Sequence, residues 1–465
     1  MLPPLPKNEW TPEAAAHLLN RACFGGSPEK ISELHALGHE KAVESLLNAP
    51  EDDSDFPPPE LSPMLGPLKN NAAAMTGMTM SEADRREARR LEQVKAREEI
   101  TTLRTWWLDR MRNSTHALRE KAVLFWHGHW ATSFQKVNSP FLMWQQNETF
   151  RSHALGQFEP FAQAMTRDPA MIRYLDLQAS KAECPNENFA RELMELFTLG
   201  EGHYTEDDIR ESARAFTGYG VSQKSGGFNF VKRHHDYGTK RFFGKQGEFS
   251  GDEIVSIIVS QPRCPEFLSE KVWAFYAGRK PGNELRDKLA RHYRSTGLHT
   301  GEYLREIFLS REFYSPEIMR RQIKGPVQWL VQSSNIFEVP LPPARLTQNA
   351  LSQLGQVLFA PPNVKGWDEG RAWITASTLL LRYNISGELV RGETIKPGVD
   401  INKIIPPDLT PDEVCKTVGW RLFQSPMPPA LAEKTKDFLE KNGDSKNARR
   451  DLLHLLLSTP EFQLT

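Results

Sequence analysis

The feature that most constrains the fold is the recurrence of 3.6-residue apolar periods between helix start and stop signals, with hardly any alternating β-branched runs. "TPEAAAHLLNRACFGG" shows the pattern. Thr11 supplies a cap, Pro12 takes the first helical position, an apolar stripe follows, and Gly25 and Gly26 close the segment. Comparable signals predict helices over Pro28 to Asn48, Ser81 to Arg112, Thr115 into "LFWHGHWATSF", Pro140 to Leu155, Phe158 to Thr166, and two more between Asn186 and Gly218. One stretch breaks the pattern. In "GYGVSQKSGGFNFVKRHHDYGTKRFFGKQGEFSG", Gly, aromatic and basic residues alternate over short distances, as a hairpin or ordered loop needs.

The expected fold is mainly α: a multi-helical globular body with one irregular or hairpin segment near 220–250 and a small helical C-terminal cap. Four parts are expected. Residues 1–48 form N-terminal helices, 49–80 a flexible proline-rich loop or lid, 81–400 the main helical domain with the candidate site, and 401–465 the cap. Residues 49–80 combine prolines with small side chains and no clear period, so they are expected to be the most mobile internal segment.

Composition excludes several classes of function. The 58 basic and 59 acidic side chains nearly cancel, so no long-range field gathers nucleic acid or anionic lipid. No window of about 20 apolar residues suits a membrane-spanning helix. The four cysteines are far apart and form no Cys-x-x-Cys pair, so they build neither a zinc ribbon nor a local redox motif. The opening residues lack the charged-then-apolar order of a secretory signal, so the chain as written is expected in the cytoplasm, or exported where a leader has been removed.

Three polar clusters could carry chemistry. In "NENFARELMELF", Phe189, Leu193, Leu196 and Phe197 share an apolar stripe, which leaves Glu187, Asn188, Arg191, Glu192 and Glu195 on the other side. Arg191 and Glu195 are spaced for an i, i+4 ion pair, and the next helix, opened by Thr205 with Asp208 three residues on, carries Arg210 and Arg214 off its apolar face. The second cluster is the His127–Gly128–His129 pair. Its rings lie about 200° apart on a helix and can share a metal only if the helix has ended by Gly128. The third is "RHHDYGTK", where Asp236 could accept from an imidazole N–H and Lys240 could neutralise an anionic substrate.

Six ordered segments, "AAHLLNRACFGG", "FWHGHWATS", "ENFARELMELFTLG", "YTEDDIRESARAFTG", "HDYGTKRFFG" and "LFAPPNVKGWDEGRAWI", resemble the bacterial family known as domain of unknown function 1800. The resemblance covers nearly the whole chain. The family's recurrent motifs fall on His127, His129, Glu187, Asn188, Arg191, Glu192, Glu195, Tyr204, Arg214, His235, Asp236, Gly238 and Lys240. Members are often encoded beside sulfatase-like proteins and many are thought to be exported, which by analogy implies a sulfatase-like neighbour and a glycan or other small-molecule substrate.

Two functions compete on this reading. In the first, the chain is an enzyme of unspecified reaction, metal-dependent and hydrolytic in its simplest form. Glu192, Glu195, Arg191, Arg214, Asp236 and Lys240 are then its catalytic candidates, and His127, His129 and His235 its metal ligands. No cofactor is specified, though a divalent metal is the one these histidines allow. Glu192 or Glu195 is expected to point at His127, His129 or His235 across a shared cleft, with Arg191 or Arg214 balancing the charge. In the second, the protein is a non-catalytic helical binding or assembly protein, and the same residues form a network that locks helices together.

Overall fold

Helix caps read from the sequence are present as hydrogen bonds in a computed structural model of the chain, which describes residues 2–50, 54–62, 81–222, 225–392, 395–396 and 398–465. Thr11 Oγ1 accepts the Ala14 N–H at 3.3 Å and opens the helix Pro12–Ala22. Ser81 and Asp84 cap each other reciprocally at the start of Glu82–Asn113, and Thr205 and Asp208 do the same for Glu206–Ala215. Each such box satisfies N–H groups that the first helical turn leaves without partners.

The structure is 63% helical, which confirms the mainly α expectation. Among the described residues the strands form two short antiparallel hairpins, Tyr219–Val221 with Phe228–Phe230 and Lys240–Phe242 with Lys245–Gly247. Both fall in the stretch that broke the helical pattern. No described helix is long and apolar enough to cross a membrane.

A single cluster of buried apolar side chains runs from Leu2 to Phe462. Within 401–465, the helix Lys446–Leu457 packs on Ala376–Arg391, and residues 463–465 exchange backbone hydrogen bonds with Gln322 and Lys324. Much of the expected lid, 51–53 and 63–80, lies outside the described residues. The part that is described is tied down: Pro57 O accepts the Trp106 indole N–H at 2.9 Å, and the Ser62 hydroxyl donates to Glu99 at 2.6 Å.

Where Glu82–Asn113, Ala117–His129 and Pro140–His153 meet, the core holds a charge. Glu120 is fully buried, and its carboxylate accepts from Arg151 Nε at 2.7 Å, Arg110 Nε at 3.3 Å and the Trp107 indole at 3.0 Å. Burial pushes its pKa up, but Arg151 and Arg110 outweigh burial and hold the carboxyl below its ordinary value. A depressed folded pKa contributes stability at neutral pH that is lost as acid protonates the group. Glu120→Gln is therefore expected to cost about 3–5 kcal/mol, because the buried carboxylate that Arg110 and Arg151 share is lost. Urea unfolding at pH 7 measures it. The gap between wild type and variant should close as pH falls through the acid range.

Candidate functional site

The helix Ala117–His129 does not end at Gly128 but continues through His129, so the two histidines point in different directions. His127 turns into an aromatic box of Trp107, Phe150, Phe359 and Trp367. Its Nε2 accepts the Phe359 backbone N–H at 2.9 Å, so the proton of the neutral ring is on Nδ1 and neither nitrogen offers a lone pair to a metal. Burial holds its pKa down at about 3. His129 turns the other way, and its Nε2–H donates to Phe197 O at 3.0 Å. Its Nδ1 lone pair is buried and has no hydrogen-bond partner among the described residues.

Gly128, inside the helix, serves instead as a docking point. Gly366, at φ +89°, lies so close that a Cβ there would sit 2.3 Å from Gly128 O. This glycine-on-glycine contact, with the His127–Phe359 hydrogen bond, docks the "APPNVKGWDEG" loop on the helix.

The other nominated residues sort into pairs. Arg191 reaches Glu206 through two hydrogen bonds, 2.8 and 2.9 Å, and Glu187 at 3.5 Å, rather than the Glu195 that its spacing suggested. Glu195 instead accepts the Tyr204 hydroxyl at 2.8 Å. Glu192 is half-buried, and burial and then Glu195 raise its pKa against the pull of Lys365. Neither carboxylate is hydrogen-bonded to a histidine among the described residues.

Asp236 grips Arg214 at 2.7 and 3.2 Å instead of orienting an imidazole, while His235 Nδ1–H donates to Thr217 O at 2.9 Å. Lys240 staples its own loop through Asp236 O at 2.7 Å and Gly238 O at 3.0 Å. Among the described residues, no group of three or more His, Cys, Asp or Glu is arranged to hold a metal ion.

A cavity of about 540 Å³ lies elsewhere. One wall is a stripe of the His129 helix, Lys121, Leu124, Phe125, Gly128 and His129, spaced at i, i+3, i+4, i+7 and i+8. The facing wall is the helix Arg263–Ala277, which supplies Phe267, Lys271 and Phe275. These helices run antiparallel, because Phe275 packs on Phe125 at 5.2 Å while Phe267 lies 6.5 Å from His129. The segment carrying Lys324, Gly325 and Gln328 closes one side, and the docked loop brings Lys365, Trp367 and Glu369 to another. Of the residues nominated from sequence, His129 alone lines this cavity.

Its electrostatics are one-sided. Five lysines, and Arg263 already paired with Glu266 at 3.3 Å, face three side-chain carboxylates, Glu201, Glu270 and Glu369, and Glu270 pairs with Lys280 at 3.5 Å. Lys121 donates to Gln328 Oε1, Lys271 to Leu196 O at 3.2 Å and Lys324 to Phe462 O at 2.8 Å. Each is a single hydrogen bond to a neutral acceptor, from a group able to donate three. None of the three has a carboxylate at ion-pair distance among the described residues. Two buried guanidinium groups stand behind them: Arg21 bonds Gln322, and Arg382 donates to Lys324 O at 2.8 Å.

Burial pushes Lys121 and Lys324 down to about 7 and Lys271 to about 8. Burial also raises the Glu369 carboxyl, against Lys271 and Lys121, although the cavity leaves that side chain open to water. In the sequence, Lys271 in "LSEKVW" and Lys324 in "IKGPVQW" stand beside apolar residues and carry no other mark of this site.

No curated protein and no solved structure is significantly similar to the chain. The family described as protein of unknown function DUF1800 matches residues 17–464, and the chain belongs to that family.

Proposed function

We propose that the protein binds an organic anion in the cavity between Lys121, Lys271 and Lys324, and that this is where its chemistry takes place. The observation that carries the reading is the set of buried ammonium groups without a carboxylate partner. A buried charge is costly unless it is paired, and these lysines are paired only when an anion arrives. Phe125, Phe267, Phe275 and Trp367 give the ligand an apolar wall, and the volume suits a small organic molecule. Glu369, exposed in the cavity with its carboxyl pKa raised by burial, supplies an acid for a proton-transfer enzyme. Metal-assisted hydrolysis has weaker support, because His127 has committed its lone pair to Phe359.

A specific observation favours the second reading for the conspicuous motifs. Arg191, Glu195, Arg214, Asp236, His235 and Lys240 have their hydrogen-bonding groups engaged by neighbouring side chains or backbone. We read them as the network that locks the helices and the second hairpin together, outside the site itself.

Lys121→Met separates a functional lysine from a structural one. Removing an uncompensated buried charge should raise the stability of the unliganded protein by about 1–4 kcal/mol. In the same variant, calorimetry should find the binding of phosphate and glucuronate lost. A stability drop with unchanged anion binding would sink the proposal.

The lysines also set a pH dependence. Their folded pKa values of about 7 to 8 lie below the ordinary 10.5, so the unfolded chain holds more protons across that window. Unliganded stability should therefore rise from pH 7 to pH 9 in low salt, as read by thermal melting. Anion affinity should fall over the same range, because binding recharges the lysines. Flat profiles in both measurements would count against anion recognition.

A further inference from the structure

The three buried lysines of the cavity are not equivalent. Lys121 and Lys324 are 7% and 2% exposed, whereas Lys271 is half-buried and opens on the cavity. Its Nζ lies 5.0 Å over the Phe267 ring and donates one hydrogen bond, to Leu196 O at 3.2 Å. That bond occupies a single N–H. When the ammonium gives up a proton, the nitrogen keeps this anchor and gains a lone pair. Burial brings its pKa to about 8, so part of the population holds a free amine near neutral pH.

Glu369 is the second group. It comes from the docked loop, is exposed in the cavity, and makes no side-chain hydrogen bond or ion pair among the described residues. Lys271 pulls its carboxyl down and Glu369 pulls Lys271 up, so the two groups act on each other from beyond ion-pair distance. Phe267, Phe275 and Trp367 line the same cavity, and Lys121 acts on Glu369 as well. A carbonyl group suits an amine and a carboxyl held apart in this way, its carbon for the amine and its oxygen for the acid.

We propose that Lys271 is a nucleophile that condenses with the aldehyde or ketone carbonyl of an organic anion, with Glu369 moving the protons of the step. This rests on the anion-binding reading above and adds to it the reacting group. The Lys271 lone pair forms the C–N bond as the C=O π bond opens, and the oxygen takes the Glu369 proton. The nitrogen then loses one proton to the Glu369 carboxylate, which passes it to the new hydroxyl as that group leaves as water. The nitrogen lone pair closes the C=N bond. No oxidant, reductant or further reactant takes part. The product is an iminium ion, a buried cation whose counter-charge is the acidic group of the same ligand.

Lys271 also has a structural use, since its bond to Leu196 O, beside the His129 bond to Phe197 O, holds the chain where the helix Glu187–Glu195 ends. Lys271→Arg separates the two uses. A guanidinium keeps the charge and a donor for the carbonyl but forms no imine under these conditions.

Reductive trapping on the full chain tests the proposal. The protein is incubated near neutral pH with cyanoborohydride and either pyruvate or levulinate, and the modified residue is found by peptide mass mapping. One secondary amine per chain should form, at Lys271 ahead of the exposed Lys280 on the same cavity. Lactate, which lacks the carbonyl, should leave no label. Butanone, which lacks the carboxylate, should label at least about tenfold more slowly, the order expected of one charged hydrogen bond. Lys271→Arg should abolish the label with a melting temperature close to wild type. Glu369→Gln should slow labelling by about a hundredfold and leave it on Lys271.

No label with either oxo acid, label on Lys280, Lys121 or Lys324 in preference to Lys271, or butanone as fast as the oxo acids would each overturn the proposal. An unchanged rate in Glu369→Gln would overturn the assignment of the acid. Phosphate binding that is lost in Lys121→Met, together with no label at Lys271, would leave the anion reading standing and the nucleophile refuted. If neither phosphate binding nor label is seen, both readings fall.

Discussion

Glu120 sets the orientation of the helix on which the site is built. Its carboxylate is held by Arg110, Arg151 and Trp107 from two neighbouring helices, and this fixes the rotation of Ala117–His129 about its own axis. The next residue, Lys121, then has to face about 100° further round the helix, into the cavity, with Leu124, Phe125, Gly128 and His129 following at helical spacing. A rotation of one residue, about 100°, would put Lys121 where Glu120 now meets its arginines and turn Glu120 out of that knot. One helix therefore carries a compensated buried charge beside an uncompensated one.

That contrast organises the energetics. Around Glu120 the low dielectric makes every charge-assisted hydrogen bond count, and the group is ionised because two guanidinium groups surround it. Around Lys121, Lys271 and Lys324 the same dielectric works against the fold, lowering the lysines towards neutrality. Natural chains keep such groups where function needs them, at a cost met by packing elsewhere. Here the apolar cluster from Leu2 to Phe462 carries that load.

The fold was legible because its determinants are local. Thr11, Ser81 and Thr205 cap their helices with groups three residues away, and the Gly-rich stretch became hairpins because its residues could not sustain a helix. The site was less legible because its determinants are not local. A metal shared by His127 and His129 needed the helix to end by Gly128, but the helix runs on, and Gly366, far along the chain, packs its own bare Cα against the Gly128 carbonyl. Arg191 was spaced for Glu195 and found Glu206, which offers both oxygens across a short turn. Lys271 and Lys324 resembled ordinary helical or loop lysines, since burial comes from segments that no window of sequence contains.

The meeting of Gly128 and Gly366 has a mechanical consequence. Two backbones touch there with no side chain between them, so the contact is defined by clearance and not by chemical affinity. A single methyl on Gly366 would act as a wedge, and the loop beyond it would swing as a lever carrying Lys365, Trp367 and Glu369 with it. The seat of the loop that lines the cavity is thus set by the absence of one carbon atom, the Cβ that Gly366 lacks.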